Sequence, residues 1–187
     1  MSTYAAIELS LPEWIDAEID FTVRYADDDA RMALAIGLAR RNVELGTGGP
    51  FGAAILRSDG ELIAVGVNRV VPQQCSVAHA EMLAFMSAQK RIGRFRLNED
   101  GARYLLATSA QPCAMCYGAS FWAGIDELVI GARAEDVMQL SEFDEGPLPA
   151  DWIGELEKRG IAVRRDVQRQ PARAIFELYR SLAGTSY

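Results

Sequence analysis

The chain has one histidine and three cysteines in 187 residues. Three of these four lie in two short runs, His79-Ala80-Glu81 and Pro112-Cys113-Ala114-Met115-Cys116. One imidazole and two thiolates are good zinc ligands, and a carboxylate two residues past the histidine can sit beside a metal without binding it. Three protein ligands leave a fourth position for water, the arrangement of a catalytic zinc, where water ionises near neutral pH. The fold is therefore constrained to bring two stretches distant in sequence to one point.

Local patterning explains how they can meet. Ala80, Leu83, Ala84 and Met86 to Ala88 recur at helical spacing, which puts His79 and Glu81 in the first turn of a helix. Pro112 suits the first position of a second helix, where its missing N–H costs nothing, and Cys113 and Cys116 then share one face of the opening turn. Both helices would turn their positive ends toward the metal, favouring thiolate over thiol.

Length suits a single domain with one well-buried core. The net charge of −7 argues against a broad phosphate-binding surface and for a small-molecule substrate. No apolar run is long enough to span a bilayer, and no signal-peptide pattern opens the chain, so the expected location is cytoplasmic with no membrane partner. An odd cysteine count with a Cys-x-x-Cys fits a metal site in a reducing compartment better than a disulfide framework.

Residues 1–26 read as an N-terminal arm or short helix laid on the body or on a neighbouring subunit. Asp27 to Asp29 open an apolar-periodic helix that ends at Gly46-Thr47-Gly48-Gly49-Pro50. Phe51 to Leu56 and Leu62 to Val67 flank Ser58-Asp59-Gly60 as a hairpin. A polar loop follows from Asn68 to Ser76, then the His79 helix and a polar connector from Arg91 to Gly101. Tyr104 to Thr108 and Leu128 to Gly131 read as buried strands on either side of the Cys113 helix. Residues 141–150 form an acidic, Pro-rich loop. A strand at Ile161 to Val163 and a helix over about 171–182 end the domain. This alternation predicts a mixed sheet covered by helices, with right-handed crossovers.

Cys75, four residues before His79, leaves a second reading open: a closed Cys₃His site with no place for water, in which Glu81 has no role and the chain is a non-catalytic zinc module. Phe51, Trp122 and Tyr187 read equally as packing or tail residues, Asn68 as a turn residue, and Asp144 and Glu145 as part of a solvated turn.

The His-Ala-Glu and Pro-Cys-x-x-Cys runs resemble the zinc-dependent cytidine deaminase superfamily. Gly48-Gly49-Pro50-Phe51-Gly52, Asn68, Phe143-Asp144-Glu145-Gly146 and the C-terminal aromatic are similar to its guanine deaminase branch. The resemblance implies a cytidine deaminase-like three-layer α/β/α fold around a central mixed five-stranded sheet, and one Zn²⁺ per subunit held by His79, Cys113 and Cys116. It implies Glu81 as proton shuttle and Glu145 as a second one. Phe51, Asn68, Ala80, Trp122, Asp144 and Tyr187 would bind substrate, with Asp144 reading the guanine N–H edge. It further implies a homodimer, with the C-terminal helix and tail, about 171–187, exchanged between subunits in some relatives. One departure is Gln111, where relatives often have glutamate.

The implied activity is hydrolytic deamination of a free purine base, guanine to xanthine and ammonia. Deamination of guanosine, cytosine or an aminated s-triazine such as ammeline is the alternative within the enzyme class. A tRNA adenosine deaminase is a third reading, against which the acidic balance speaks.

Overall fold

The structure, a computed structural model, describes residues 7–185. In chain order its elements are α1 (Trp14–Glu18), α2 (Asp28–Glu44), β1 (Gly52–Arg57), β2 (Leu62–Val67), α3 (Val70–Gln73), α4 (Ala80–Ile92), a 3₁₀ turn (Leu97–Asp100), β3 (Tyr104–Ala110), α5 (Ala114–Ala123), β4 (Glu127–Ala132), α6 (Ala134–Leu140), α7 (Trp152–Glu157), β5 (Ala162–Arg164) and α8 (Arg169–Ser181). The five strands form one sheet in the order β2-β1-β3-β4-β5. β1 runs antiparallel to β2 and β3, whereas β3, β4 and β5 are parallel. The expected mixed five-stranded sheet is thus the observed one.

Strand side chains alternate between the two faces, and each face has its own core. Ala54, Leu56, Leu105, Ala107 and Val129 pack with Met32, Ala35 and Leu38 of α2 and with Ile175 and Phe176 of α8. Ala53, Ile55, Leu106, Leu128 and Ile130 pack on the opposite face with Ala84, Phe85 and Ala88 of α4 and with Ala123. Burial on both faces explains why these strands read as continuous apolar runs.

The ends of the elements follow their local chemistry. Asp27 caps α2, its Oδ1 accepting the Ala30 N–H at 2.8 Å, as aspartate favours at an N-cap. Gly60, at φ +91°, turns the β1–β2 hairpin in a conformation that costs glycine little. Gly66 lets α4 approach β2 directly, because a Cβ there would stand 2.0 Å from the Ala80 carbonyl oxygen.

Several elements differ from the sequence expectations. The loop after Asn68 contains the short helix α3, and the connector after Ile92 contains a 3₁₀ turn. Helices α6 and α7 were not legible, being only 7 and 6 residues long, about two turns in which apolar periodicity barely registers. Pro112 precedes α5 rather than beginning it, since Cys113 is the N-cap with extended backbone. Part of the N-terminal arm is the helix α1 laid on the chain's own body, where Ile15 is buried. Helix α8 packs on α2, β4 and α6 of the same chain.

Helices α6 and α8 are clamped through Asp136. Its carboxylate accepts the Arg133 N–H at 2.9 Å as an N-terminal cap, takes two 2.7 Å hydrogen bonds from Arg169 and one from Arg173. The Arg169 hydrogen bonds, with the Arg133 N–H and Arg173, hold this buried carboxyl well below the usual carboxylate range. A depressed folded-state pKa stabilises the fold above the unfolded value of about 3.9 and loses that contribution as pH falls below it. Asp136→Asn is therefore expected to cost about 1–2 kcal/mol at pH 7, discounted because both arginines reach solvent. Denaturant titrations at pH 7 and pH 3.5 should show the difference from the natural chain shrinking at the lower pH.

Candidate active site

The site forms where two helices of one layer begin. His79 is the N-cap residue of α4 and Cys113 that of α5, both with extended backbone, and neither side chain caps its own helix. Cys116 lies one turn further along α5 and is fully buried. The three ligand atoms fall within 4.8 Å of one another. His79 Nδ1 is 3.5 Å from Cys113 Sγ and 3.7 Å from Cys116 Sγ. Tetrahedral zinc with Zn–S of about 2.3 Å and Zn–N of about 2.0 Å requires N···S separations of about 3.5 Å, so the triad stands at ligand spacing. Cys75 lies outside this group; its N–H donates to the Val70 carbonyl at 3.0 Å. The closed Cys₃His alternative is not formed.

Above the triad is a cavity of about 260 Å³ lined by Phe51, Ser76, His79, Glu81, Gln111, Cys113, Phe143, Asp144 and Glu145. Glu81, in the first turn of α4, is buried yet faces this space. Burial, then the charge of Cys113, pushes its carboxyl up to about 7. Burial and the charges of Cys113 and Glu81 push Glu145 up to about 8. A carboxyl poised near neutrality can both take and return a proton.

The thiols share their charge unequally. Hydrogen bonding from Cys116 outweighs burial and, helped by His79, brings Cys113 down to about 4. Its hydrogen bond to Cys113, burial and the nearby Glu81 raise Cys116 far above the usual thiol range. Burial pulls the His79 imidazole down, but the Cys113 hydrogen bond and the charges of Glu81, Cys113 and Glu145 outweigh it and leave it raised. Binding a divalent cation at such a site releases protons, because thiolates and neutral imidazole are the ligating forms.

Residues 26–132 match the cytidine and deoxycytidylate deaminase zinc-binding region. The chain belongs to this deaminase family. It is 39% identical over 127 residues, 68% of its length, to the guanine deaminase of Bacillus subtilis (strain 168), covering 78% of that protein. It also superimposes on the solved guanine deaminase of Nitrosomonas europaea with 42% identity and a TM-score of 0.89, covering 94% of this chain and 97% of that one. The structure of an NE0047 point mutant in complex with 8-azaguanine matches at 41% identity and TM-score 0.89, over 95% and 98% of the two chains.

As a family member the chain binds zinc, and His79, Cys113 and Cys116 fit that ion. Of the residues expected to meet substrate, Phe51, Asp144 and Glu145 line the cavity beside Glu81. Asp144 is exposed and accepts the Gly146 N–H at 2.9 Å. Trp122 does not reach the cavity. It lies at the far end of α5, ~13 Å along the helix from Cys113 at 1.5 Å per residue, and is 74% exposed beside Phe121. Ala80 is fully buried, its carbonyl turned toward Gly66, and does not line the cavity. Asn68 is buried just behind the wall: its N–H donates to the Phe51 carbonyl at 3.1 Å and its Oδ1 accepts the Val70 N–H at 3.3 Å. The expectation for Tyr187 lies outside the described residues.

Three lining residues were given no substrate role by the sequence reading. Gln111 and Ser76 flank the zinc-binding runs, and their adjacency was the available signal. Phe143 carries an aromatic wall: its ring meets Phe51 edge-on at 5.1 Å and stacks on Tyr179 at 6.1 Å. Only the folded loop reveals that role.

Two outcomes follow from the open site. By metal analysis, Cys113→Ala should lose zinc while Cys75→Ala keeps one ion per chain. Glu81→Gln should keep its zinc but release ammonia at least about 100-fold more slowly, the usual loss when a general acid–base is removed.

Proposed function

We propose that this chain hydrolyses free guanine to xanthine and ammonia. The observation that carries this reading is the cavity itself, in which the buried Glu81, the half-buried Glu145 and a Phe51–Phe143 wall face a His-Cys-Cys triad, in a fold that matches guanine deaminase structures almost end to end. At about 260 Å³ it falls below the 300–1,000 Å³ typical of drug-sized ligands, which suits a bare base better than a nucleoside.

Bound zinc supplies a water acidic enough to attack the ring carbon bearing the amine. Glu81, which faces the cavity, would take a proton from the attacking water and return it to ring N3 as the C2–O bond forms. A second proton passes to the exocyclic nitrogen as the C2–N bond breaks, leaving ammonia and a carbonyl at C2. Glu145, whose carboxyl burial pushes up to about 8, can donate that second proton while Glu81, a carboxylate again after protonating N3, takes the proton of the new C2 hydroxyl. Asp144, at the cavity edge, can accept the N1–H of guanine by opening its hydrogen bond to Gly146. Phe51 and Phe143 give the cavity an apolar wall, against which a base donor left unpaired costs more than in water.

Two further readings concern the whole protein. An exposed apolar patch on the α4–α5 layer, with Phe95 at 77% exposure and Met86 beside Trp122, supports a homodimer joined through this layer, which gives Trp122 an intersubunit rather than a substrate role. No described helix is long and apolar enough to cross a membrane. Thiolate ligands support a reducing compartment, the cytoplasm.

A panel of guanine, guanosine, cytosine, cytidine, adenine and ammeline, followed by ammonia release, should show guanine turned over with the highest kcat/KM. Faster turnover of guanosine or cytosine would overturn the assignment. Sedimentation should report a dimer that Trp122→Glu converts to monomer; a monomeric natural chain would exclude the proposed interface.

A further inference from the structure

The glycine-rich loop at residues 46–50, the end of β2 and the N-terminal arm meet at a side chain the mechanism does not use. Asn42, on α2, is completely buried, while its neighbours Leu38, Ala39 and Val43 are apolar core residues. Packing alone gives no reason for an amide at this position. Its Nδ2 donates to the carbonyls of Gly49 and Asn68, both at 2.9 Å. Its Oδ1 accepts the Thr47 hydroxyl at 2.7 Å, and Thr47 Oγ1 accepts the Trp14 indole N–H at 3.1 Å. A buried polar network satisfied in this way specifies one arrangement of the segments it joins.

Both carbonyls belong to segments that enter the cavity. Gly49 stands two residues before Phe51, and Asn68 donates its N–H to the Phe51 carbonyl. The residue after it, Arg69, donates its N–H to Ala78 at 2.8 Å, next to His79. Gly48 passes so near that a Cβ on it would lie 1.8 Å from the Asn68 oxygen. The two segments therefore touch here, the Arg69 guanidinium donates to the Thr47 carbonyl, and the Asn42 amide binds a carbonyl of each segment from the α2 side.

We infer that Asn42 is a positioning residue for substrate: it holds Phe51 and Asn68 in register, and through Thr47 and Trp14 it links that wall to the arm preceding residues 26–132. The inference takes its substrate from the guanine reading but stands on the geometry of the wall.

The test compares full-length variants. Asn42→Asp keeps the shape but turns an acceptor toward two carbonyl oxygens. Thr47→Val removes only the hydroxyl between Asn42 and Trp14, and serves if the first variant fails to fold. With zinc content unchanged and kcat within about threefold, KM for guanine should rise about tenfold in Asn42→Asp and about threefold in Thr47→Val, the pattern of lost binding rather than lost chemistry. Unchanged KM in the folded variants, or a fall in kcat and zinc content together, would overturn the inference. If the natural chain ignores guanine but turns over another base of the panel, the substrate reading fails, and the same comparison of KM and kcat is made with that base.

Discussion

The site depends on the convergence of two helix N-termini. His79 and Cys113 each occupy the residue at which a helix begins, in extended backbone, so their side chains project past the helix end toward each other. The N–H groups of both first turns carry partial positive charge into the same small volume. That field favours a thiolate on Cys113 and opposes, without cancelling, the burial that raises Glu81. It arises because α4 can lie directly on β2 at Gly66 while α5 leaves the end of β3 beside it.

Concentrating anions in a buried space has a cost, and the pattern of protonation shows how it is offset. Glu81 and Glu145 are raised toward or above neutrality, Cys116 retains its proton, and Cys113 alone is strongly favoured as an anion. A dication held by His79, Cys113 and Cys116 would displace the Cys116 proton and, as the nearest positive charge, draw both carboxyls down from these raised positions. Ligand geometry and acid–base chemistry are thus one electrostatic arrangement.

The cavity wall is assembled from the other side of the sheet. Phe51 contacts Phe143 at 5.1 Å and Phe176 of α8 at 5.4 Å, and Tyr179 of α8 stacks on Phe143. The Asp136 clamp between α6 and α8 therefore supports the ring that precedes Asp144 and Glu145. The same loop is tied to the metal helix, since the Ala114 N–H donates to the Glu145 carbonyl at 2.9 Å. A loop without regular structure is thus tied to the body by an aromatic contact chain and a main-chain hydrogen bond that help place Glu145 over the triad.

The zinc ligands, Glu81, the hairpin, the main helices and the layered α/β class were legible in the chain itself, because ligand chemistry and hydrophobic periodicity are local properties of neighbouring residues. Phe143, Gln111 and Ser76 gained a place in the cavity, and Trp122 and Ala80 lost theirs, only when the chain folded, because whether a side chain faces a pocket depends on elements far away in sequence. Helices α6 and α7 escaped notice because two turns carry too little periodicity, yet α6 anchors the clamp under the substrate loop. By itself the sequence determined which atoms could hold a metal and move a proton. The tertiary structure decided that Cys75 stands apart, that Glu145 joins Glu81, and that both line one cavity with the triad, since distances and burial exist only after distant segments pack.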